Sequence, residues 1–172
     1  TRLKIRPLCL VYYDFHTREH ALIAELKDSD GLLLGTNQVI YPDAFTGLRA
    51  DVRYTYRKSG LEQDIILRQR PPLPEAYGFN PMTTWLWVLT EFIDPPADVQ
   101  VARQIRRGWT QSTVDKIIRV GGMTIGHGSA FGLGLGQNRR AGVPVEKHWA
   151  VMDGRTFLIE EVSFHRIVSN LR

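Results

Sequence analysis

Residues 50–68 read ADVRYTYRKSGLEQDIILR and carry the clearest strand pattern of the chain. Over residues 51–57, aliphatic or aromatic side chains alternate with polar ones, which is the two-residue period of a strand with one buried face. Residues 58–60 supply turn chemistry, and residues 61–68 resume with β-branched side chains. This stretch therefore predicts an antiparallel hairpin.

Strand patterns continue on both sides of this hairpin. Residues 8–13 are apolar on both faces, which is typical of a central strand between two layers. After a polar turn, residues 21–26 and 32–34 are separated by the turn cluster 28–31 and are expected to contribute a second hairpin. Residues 85–92 are aromatic and branched between two proline-containing stops, so they predict one long strand.

Two connecting segments have other patterns. Four prolines within residues 70–81 prevent regular ladder pairing, so we expect an ordered connection from one sheet to another, anchored by Leu73, Tyr77 and Phe79. Residues 97–118 have loosely spaced apolar positions and suggest a short helix or an irregular segment. Neither segment predicts a strand.

The C-terminal part is expected to end in a hairpin and a helix. Asp153-Gly154 is the strongest hairpin signal, because a type I′ turn needs positive φ at both central residues. Residues 164–171 place apolar side chains at the spacing of one helix face, which predicts a short helix packed on that hairpin. The glycine-rich stretch 121–136 suits a flat strand or an adaptable loop.

Together these patterns predict a mostly β fold, either an antiparallel β-sandwich or a flattened barrel, with a short C-terminal helix. Residues 1–172 are expected to form a single β-rich domain, and an internal boundary, if there is one, falls near residues 95–118. The composition is that of an ordinary globular protein, with 43% hydrophobic and 23% charged residues. No stretch approaches the roughly 18 apolar residues that a membrane-spanning helix needs, so no transmembrane segment is predicted.

Cysteine content leaves the cellular compartment open. The single cysteine, Cys9, cannot form an internal disulfide, and its apolar strand makes it an inert core residue by expectation. The sequence opens on Thr1 without a leader pattern, so we expect a piece of a longer chain.

Positive charge is concentrated in the C-terminal part. The whole chain carries a net charge of +4, whereas residues 1–96 carry −1 and residues 97–172 carry +5. Arg139 and Arg140 lie beside glycine and asparagine, where an adaptable loop can present guanidinium groups to carboxylates or phosphates. They are the candidate contacts to a neighbouring domain or an anionic partner, and a solvated face is the alternative. Nucleic acid is not expected as a partner, because the basic residues are sparsely clustered.

Short motifs do not combine into a catalytic constellation. Residues 16–20 spell H-x-x-E-H, but they lie between two strand patterns, whereas a zinc peptidase needs them on a helix. Residues 126–129 lack the G-x-S-x-G pattern, and residues 132–136 match no phosphate-binding loop. No catalytic residue, metal or cofactor is therefore predicted.

Paired carboxylates are the remaining catalytic signal. Glu62 and Asp64 would share one face of a strand, whereas Glu160 and Glu161 would point to opposite faces. Neither pair shows a sign of burial or of a cleft in the sequence, so both pairs are expected to be solvated.

Four tryptophans could form a platform on which sugar rings stack, namely Trp85, Trp87, Trp109 and Trp149. Two of them, Trp85 and Trp87, share one face of the predicted strand, so their rings would lie side by side if that face were exposed. The same spacing also builds the core of a sandwich.

Several segments resemble an uncharacterised β-rich region of very large, predicted secreted or surface-exposed bacterial proteins. These segments are residues 37–44, 50–56, 62–68 and 90–92. The resemblance covers roughly residues 8–95, and beyond them it rests on residues 128–131 and 155–160. It implies a module of a long exported multidomain chain, secreted or at the cell surface, and it brings no catalytic residue.

Three functions are therefore compared. The first is a non-enzymatic structural or interaction module whose partners are neighbouring domains of the parent chain or a surface assembly. The second is a carbohydrate-binding module that uses the tryptophans on a polysaccharide. The third is a hydrolase that combines His127 or His148 with a nearby carboxylate. A cytoplasmic protein is compatible with the residues alone.

Overall fold

The computed structural model describes residues 4–58, 60–93, 95, 99–107, 112–120, 122–133 and 142–171. Strands account for 61% of the chain so described. They are β1 (Lys4–Asp14), β2 (His20–Glu25), β3 (Leu32–Leu34), β4 (Gln38–Tyr41), β5 (Ala50–Arg57), β6 (Gly60–Leu67), β7 (Thr84–Ile93), β8 (Gln100–Arg107), β9 (Ser112–Val120), β10 (Met123–Ile125), β11 (Gly128–Ala130), β12 (Val143–Met152) and β13 (Arg155–Ser163). Helical turns occur at Pro74–Tyr77 and at the C-terminus, where helix α1 (Phe164–Ile167) continues into the 3-10 turn Val168–Asn170.

The strands form three antiparallel sheets. The largest has six strands in the order β11-β12-β13-β7-β1-β2, a second has four in the order β3-β4-β5-β6, and a third has three in the order β10-β9-β8. No sheet closes into a barrel over the described ranges. The predicted fold class, mostly β and antiparallel with a short C-terminal helix, is confirmed, and the architecture is sandwich-like.

The main core lies where the six-stranded sheet faces the four-stranded sheet. Leu10, Tyr12 and Leu86 enter it from the first sheet, and Ala50 and Val52 enter from the second. The buried Tyr12 ring packs edge-to-face on the ring of Phe164 at 5.5 Å, which holds the C-terminal helix on the sandwich. Its hydroxyl donates a hydrogen bond of 2.8 Å to the Pro72 carbonyl. This bond ties the proline-rich connection to the same core.

The two local hairpin predictions are confirmed. Strands β5 and β6 pair over their whole length, with Val52 opposite Ile65. Asp153 and Gly154 join β12 to β13 with φ values of 51° and 73°, the positive angles that a type I′ turn requires. Strand β1 lies between β7 and β2, so the prediction of an interior strand over residues 8–13 is also confirmed.

Pairing of the short strand at residues 32–34 differs from the prediction. Strand β2 forms its hairpin with β1, across the polar turn that follows Asp14, whereas β3 pairs with β4 in the other sheet. The bridge between Leu26 and Phe45 marks the point where the chain leaves the first sheet. Because β1 is 11 residues long and β3 only three, the longer ladder with β1 is the better partner for β2.

The prediction of a helix or irregular segment over residues 97–118 is wrong. The chain forms strands β8 and β9 there, with Val101 opposite Ile118. β-branched side chains on both strands favour the extended backbone, and the loose apolar spacing hid this alternation. The buried Ile118 and Val120 pack against Phe92 and Leu158, which docks the three-stranded sheet on the six-stranded one.

The connection over residues 70–81 runs from β6 in one sheet to β7 in another, as predicted. Phe79 is buried and Tyr77 packs against the core, but Leu73 is exposed and lies outside the described core, so its prediction as an anchor is wrong. No helix in the described ranges has the length and apolar character needed to span a bilayer.

Gly60 tests the contact between β6 and β10. A Cβ atom at Gly60 would overlap the carbonyl oxygen of Thr124, whereas a Cβ at the exposed Gly122 would meet nothing. We expect Gly60→Ala to lower the free energy of unfolding by roughly 1–3 kcal/mol, the usual cost of overpacking. Gly122→Ala should change it little in the same urea titration. Equal stability of the two variants would show that β6 and β10 do not touch.

Candidate functional site

A cavity of about 520 Å³ opens between the two layers of the sandwich. Its floor is the inner face of the six-stranded sheet, where Leu86, Val88 and Phe92 of β7 and Leu158 and Val162 of β13 lie. The volume falls in the range of roughly 300–1,000 Å³ that is typical of ligand pockets. Most of the lining is apolar, so the cavity suits a partner that buries apolar groups.

The opposite face of the same sheet carries an aromatic patch, formed by Tyr13, Phe15, Trp85 and Trp87. Since even-numbered residues of β7 line the cavity, the pleat turns Trp85 and Trp87 outward, and Tyr13 lies opposite Trp85 in β1. The ring of Tyr13 stacks on that of Trp87 at 4.2 Å, and the ring of Phe15 meets Trp85 edge-on at 5.4 Å. Phe15 is 48% exposed, so the patch reaches the surface.

Leu22 extends this patch across β2. It lies opposite Val11, the residue that faces Trp87 from β1, and it is 53% exposed. At the centre of the patch, the indole nitrogen of Trp87 is buried and has no hydrogen-bond partner in the described part of the chain. The patch is therefore an apolar surface with a rigid, stacked centre and an exposed rim.

Three side chains beside the patch are linked by two hydrogen bonds. Lys116 Nζ donates to His148 Nδ1 at 3.1 Å, and His148 Nε2 donates to Glu161 Oε1 at 2.7 Å. An ammonium group can only donate, so its contact with Nδ1 places the ring proton of neutral His148 on Nε2. Glu161 lies opposite Trp87 in the sheet, so these three side chains lie next to the aromatic rings.

Glu161 is not solvated, so the prediction for this carboxylate is wrong. Its residue is only 4% exposed. Burial raises the pKa of the Glu161 carboxyl above its usual value, and His148 and Lys116 oppose that shift. Sequence reasoning missed these contacts because His148 and Lys116 lie 13 and 45 positions away from Glu161 along the chain. Glu160, by contrast, faces the cavity, as expected for the opposite side of the strand.

Glu146, His148 and Glu161 also offer three potential metal ligands within 4.8 Å of one another. The ammonium group of Lys116 already acts on the charge of Glu161, and it occupies His148 Nδ1. A metal on Nε2 would require a proton on Nδ1, which would then face the Lys116 ammonium group. The observed hydrogen bonds therefore favour an internal cation, Lys116, over a bound one.

The same bonds argue against His148 as a general base. Both ring nitrogens are engaged, one by Lys116 and one by Glu161, so neither is placed to take a proton from a nucleophile or water. The second candidate base, His127, is exposed at the border of the cavity.

The remaining predicted residues are dispersed. Trp149 belongs to the second core cluster and meets the ring of Phe92 at 4.7 Å, so it is not part of the patch. Trp109, Arg139 and Arg140 lie outside the described residues. Of the H-x-x-E-H residues, 16–19 lie in the turn between β1 and β2, and His20 is the first residue of β2.

The other carboxylate pair, Glu62 and Asp64, and the single cysteine have structural contacts. Glu62 and Asp64 form salt bridges with Arg57 and Arg53 of the neighbouring strand, at 3.3 and 2.8 Å. Cys9 is half-buried, and burial raises the pKa of its thiol, with a smaller contribution from the charge of Glu25. A raised thiol pKa means less thiolate at neutral pH, in keeping with an inert cysteine.

Comparison with known proteins places this chain in no family. No family model, curated protein or solved structure matches it. Its function must therefore be argued from the residues themselves.

The role of Lys116 as an internal cation can be tested with zinc. We expect the melting temperature of the natural sequence to be unchanged by zinc chloride, whereas Lys116→Met should gain zinc-dependent stability that a chelator reverses. At a zinc concentration 100 times the Kd, the gain would be about 2.7 kcal/mol. The double variant Lys116→Met, His148→Ala is the control and should not respond. Zinc-dependent stabilisation of the natural sequence would contradict this account.

Proposed function

We propose that the protein is a non-enzymatic interaction module of a large exported bacterial protein, secreted or at the cell surface, and that it binds a neighbouring module through the aromatic patch. The observation that carries this proposal is the patch itself, an apolar surface with exposed Phe15 and Leu22 at its rim. Aromatic residues dominate the energetics of protein interfaces, whereas exposed apolar side chains elsewhere are usually scattered.

The packing of the rings supports binding rather than a purely structural role. Tyr13 and Trp87 are stacked at an interplanar angle of 14°, so their conformations are set before a partner arrives. Less side-chain entropy is then lost on association, which favours affinity. The charged groups beside the patch are already paired internally, as Glu161 is with His148. A partner therefore gains apolar contacts here without having to neutralise a buried carboxylate.

Non-enzymatic function is supported by the hydrogen bonds of the His148 ring. The third hypothesis, a hydrolase, needs a histidine nitrogen that can take a proton from a nucleophile or water, whereas Nδ1 of His148 accepts from Lys116 and Nε2 donates to Glu161.

Photo-crosslinking in the natural full-length protein tests the interaction. A benzoylphenylalanine at position 15 should crosslink to one defined neighbouring module or subunit in intact cells. The matched control is position 33, where Leu33 is also apolar and 80% exposed but lies on β3. Phe15→Ala should remove the interaction while changing the melting temperature little, because half of the ring is already in solvent. Equal crosslinking from both positions, or none from position 15, would count against the patch as an interface.

A second candidate is carbohydrate binding, favoured by the position of Trp85 and Trp87 on one face of β7. Indole faces stack on sugar rings. One face of the Trp87 ring is already covered by Tyr13, so Trp85 would contribute most of the stacking.

A polysaccharide array read by tryptophan emission separates the two candidates. Carbohydrate binding predicts an emission shift that Trp85→Ala abolishes and that Trp149→Phe retains, since Trp149 packs in the core. An unchanged emission with every glycan would exclude carbohydrate binding, and it would not count against the proposed protein interface.

A further inference from the structure

The cavity between the layers is bordered in two different ways. The strands of its floor contribute alternate residues, namely 86, 88, 90 and 92 of β7 and 158, 160 and 162 of β13. Strand β6 contributes every residue from 61 to 67, and the segment around β11 contributes every residue from 125 to 133. Alternate residues mean that a sheet face borders the cavity, whereas consecutive residues mean that a strand edge does. The cavity therefore has a sheet face as its floor and strand edges along its border.

Strand β6 is the last strand of its sheet and forms a ladder with β5 alone in the described chain, although β10 touches its first residue, Gly60, through the carbonyl of Thr124. The backbone N–H of Arg68 donates to the carbonyl of Arg49 at 2.9 Å, which makes these two opposite residues a hydrogen-bonded pair. In an antiparallel ladder such pairs alternate, so the even-numbered residues of β6 bond to β5. The N–H and C=O groups of the other residues point away from β5. These residues are Leu61, Gln63, Ile65 and Leu67. Leu61 lies next to the contact with β10, whereas Gln63, Ile65 and Leu67 have no strand paired with them on that side among the described residues.

Beyond the contact of Gly60 with β10, this edge lacks the usual protection against pairing. Strand β6 contains no proline and no lysine, and its register with β5 has no bulge. Its two acidic side chains, Glu62 and Asp64, are both in salt bridges to β5. On the cavity side, Gln63 Nε2 donates to Thr90 Oγ1 at 3.0 Å, but Gln63 Oε1 is buried and has no hydrogen-bond partner among the described residues. A hydrogen-bond donor from a bound partner would satisfy Gln63 Oε1.

We propose that the cavity receives an extended strand of another polypeptide, which pairs with the open edge of β6 and covers the apolar floor. A small apolar molecule could fill the floor, but it could not satisfy the row of outward N–H and C=O groups of Gln63, Ile65 and Leu67, which another strand matches one by one. The added strand carries apolar side chains at every second position, turned towards Val88 and Leu158. This site lies on the opposite side of the sheet from the aromatic patch, and it does not depend on the patch being an interface.

A random nine-residue peptide library displayed on phage is the probe. Selection on the intact domain should enrich peptides with alternating apolar residues. Ile65→Pro should weaken their binding at least about tenfold, because it removes an outward N–H and places a ring on the edge, while the ladder to β5 is kept. The matched control, Ile65→Ala, loses the side chain but keeps the N–H, and it should bind within about threefold of the natural sequence because it keeps that hydrogen bond.

Amide exchange provides a second measurement that does not rely on the proline variant folding. In the free domain, the amides of residues 63, 65 and 67 should exchange faster than those of 62, 64 and 66, and a selected peptide should protect the first set. Selected peptides with alternate backbone nitrogens methylated should fail to bind. The proposal is overturned if no peptide is enriched, if Ile65→Pro binds like Ile65→Ala, or if the outward amides are already protected in the monomer. Binding of the dye N-phenyl-1-naphthylamine without any peptide binding would also overturn it, in favour of a small apolar ligand.

Discussion

Strand β7 is hydrogen-bonded on both sides, to β1 from Thr84 to Ile93 and to β13 from Trp85 to Phe92. A strand held on both sides cannot slip by one residue without turning its whole side-chain set to the other face. The pleat of β7 therefore fixes the even-numbered side chains towards the core and the cavity, and the odd-numbered ones towards the aromatic patch. Both candidate binding surfaces are consequences of this one constraint.

On the outer face of this sheet, neighbouring strands compensate the buried carboxylates of Glu91 and Glu161 differently. Arg155 and Arg6, from the strands on either side of β7, donate to Glu91 at 2.7 and 2.8 Å. These hydrogen bonds lower the pKa of Glu91 from 4.5 to about 2, against a smaller effect of burial. For Glu161 burial prevails, and its pKa is raised despite His148 and Lys116. Glu91 is thus a fixed negative charge over the physiological range, whereas the pKa of Glu161 is moved towards that range by burial.

Local signals in the sequence predicted local structure. The alternation and turn chemistry of residues 50–68 need only neighbouring residues to specify a hairpin, and the same holds for Asp153-Gly154. The shared face of Trp85 and Trp87 also follows from the period of a strand. Which side of the sheet that face occupies depends on the strands that pack above it, and these are distant along the chain. The partner of β2 and the contacts of Glu161 were missed for the same reason, since ladders and buried networks join residues whose separation leaves no periodic trace.

The two main layers have different widths. The six-stranded sheet exceeds the four-stranded sheet by two strands, which amounts to about 10 Å of inner face at the usual strand spacing. The three-stranded sheet covers one end of this surplus, at Phe92 and Leu158, and the C-terminal residues border it at Ile167. A mere packing defect would leave an apolar gap at a place unrelated to backbone pairing. Here the gap borders the outer edge of β6, so one added strand would supply both the apolar cover and the hydrogen-bond partners of that edge.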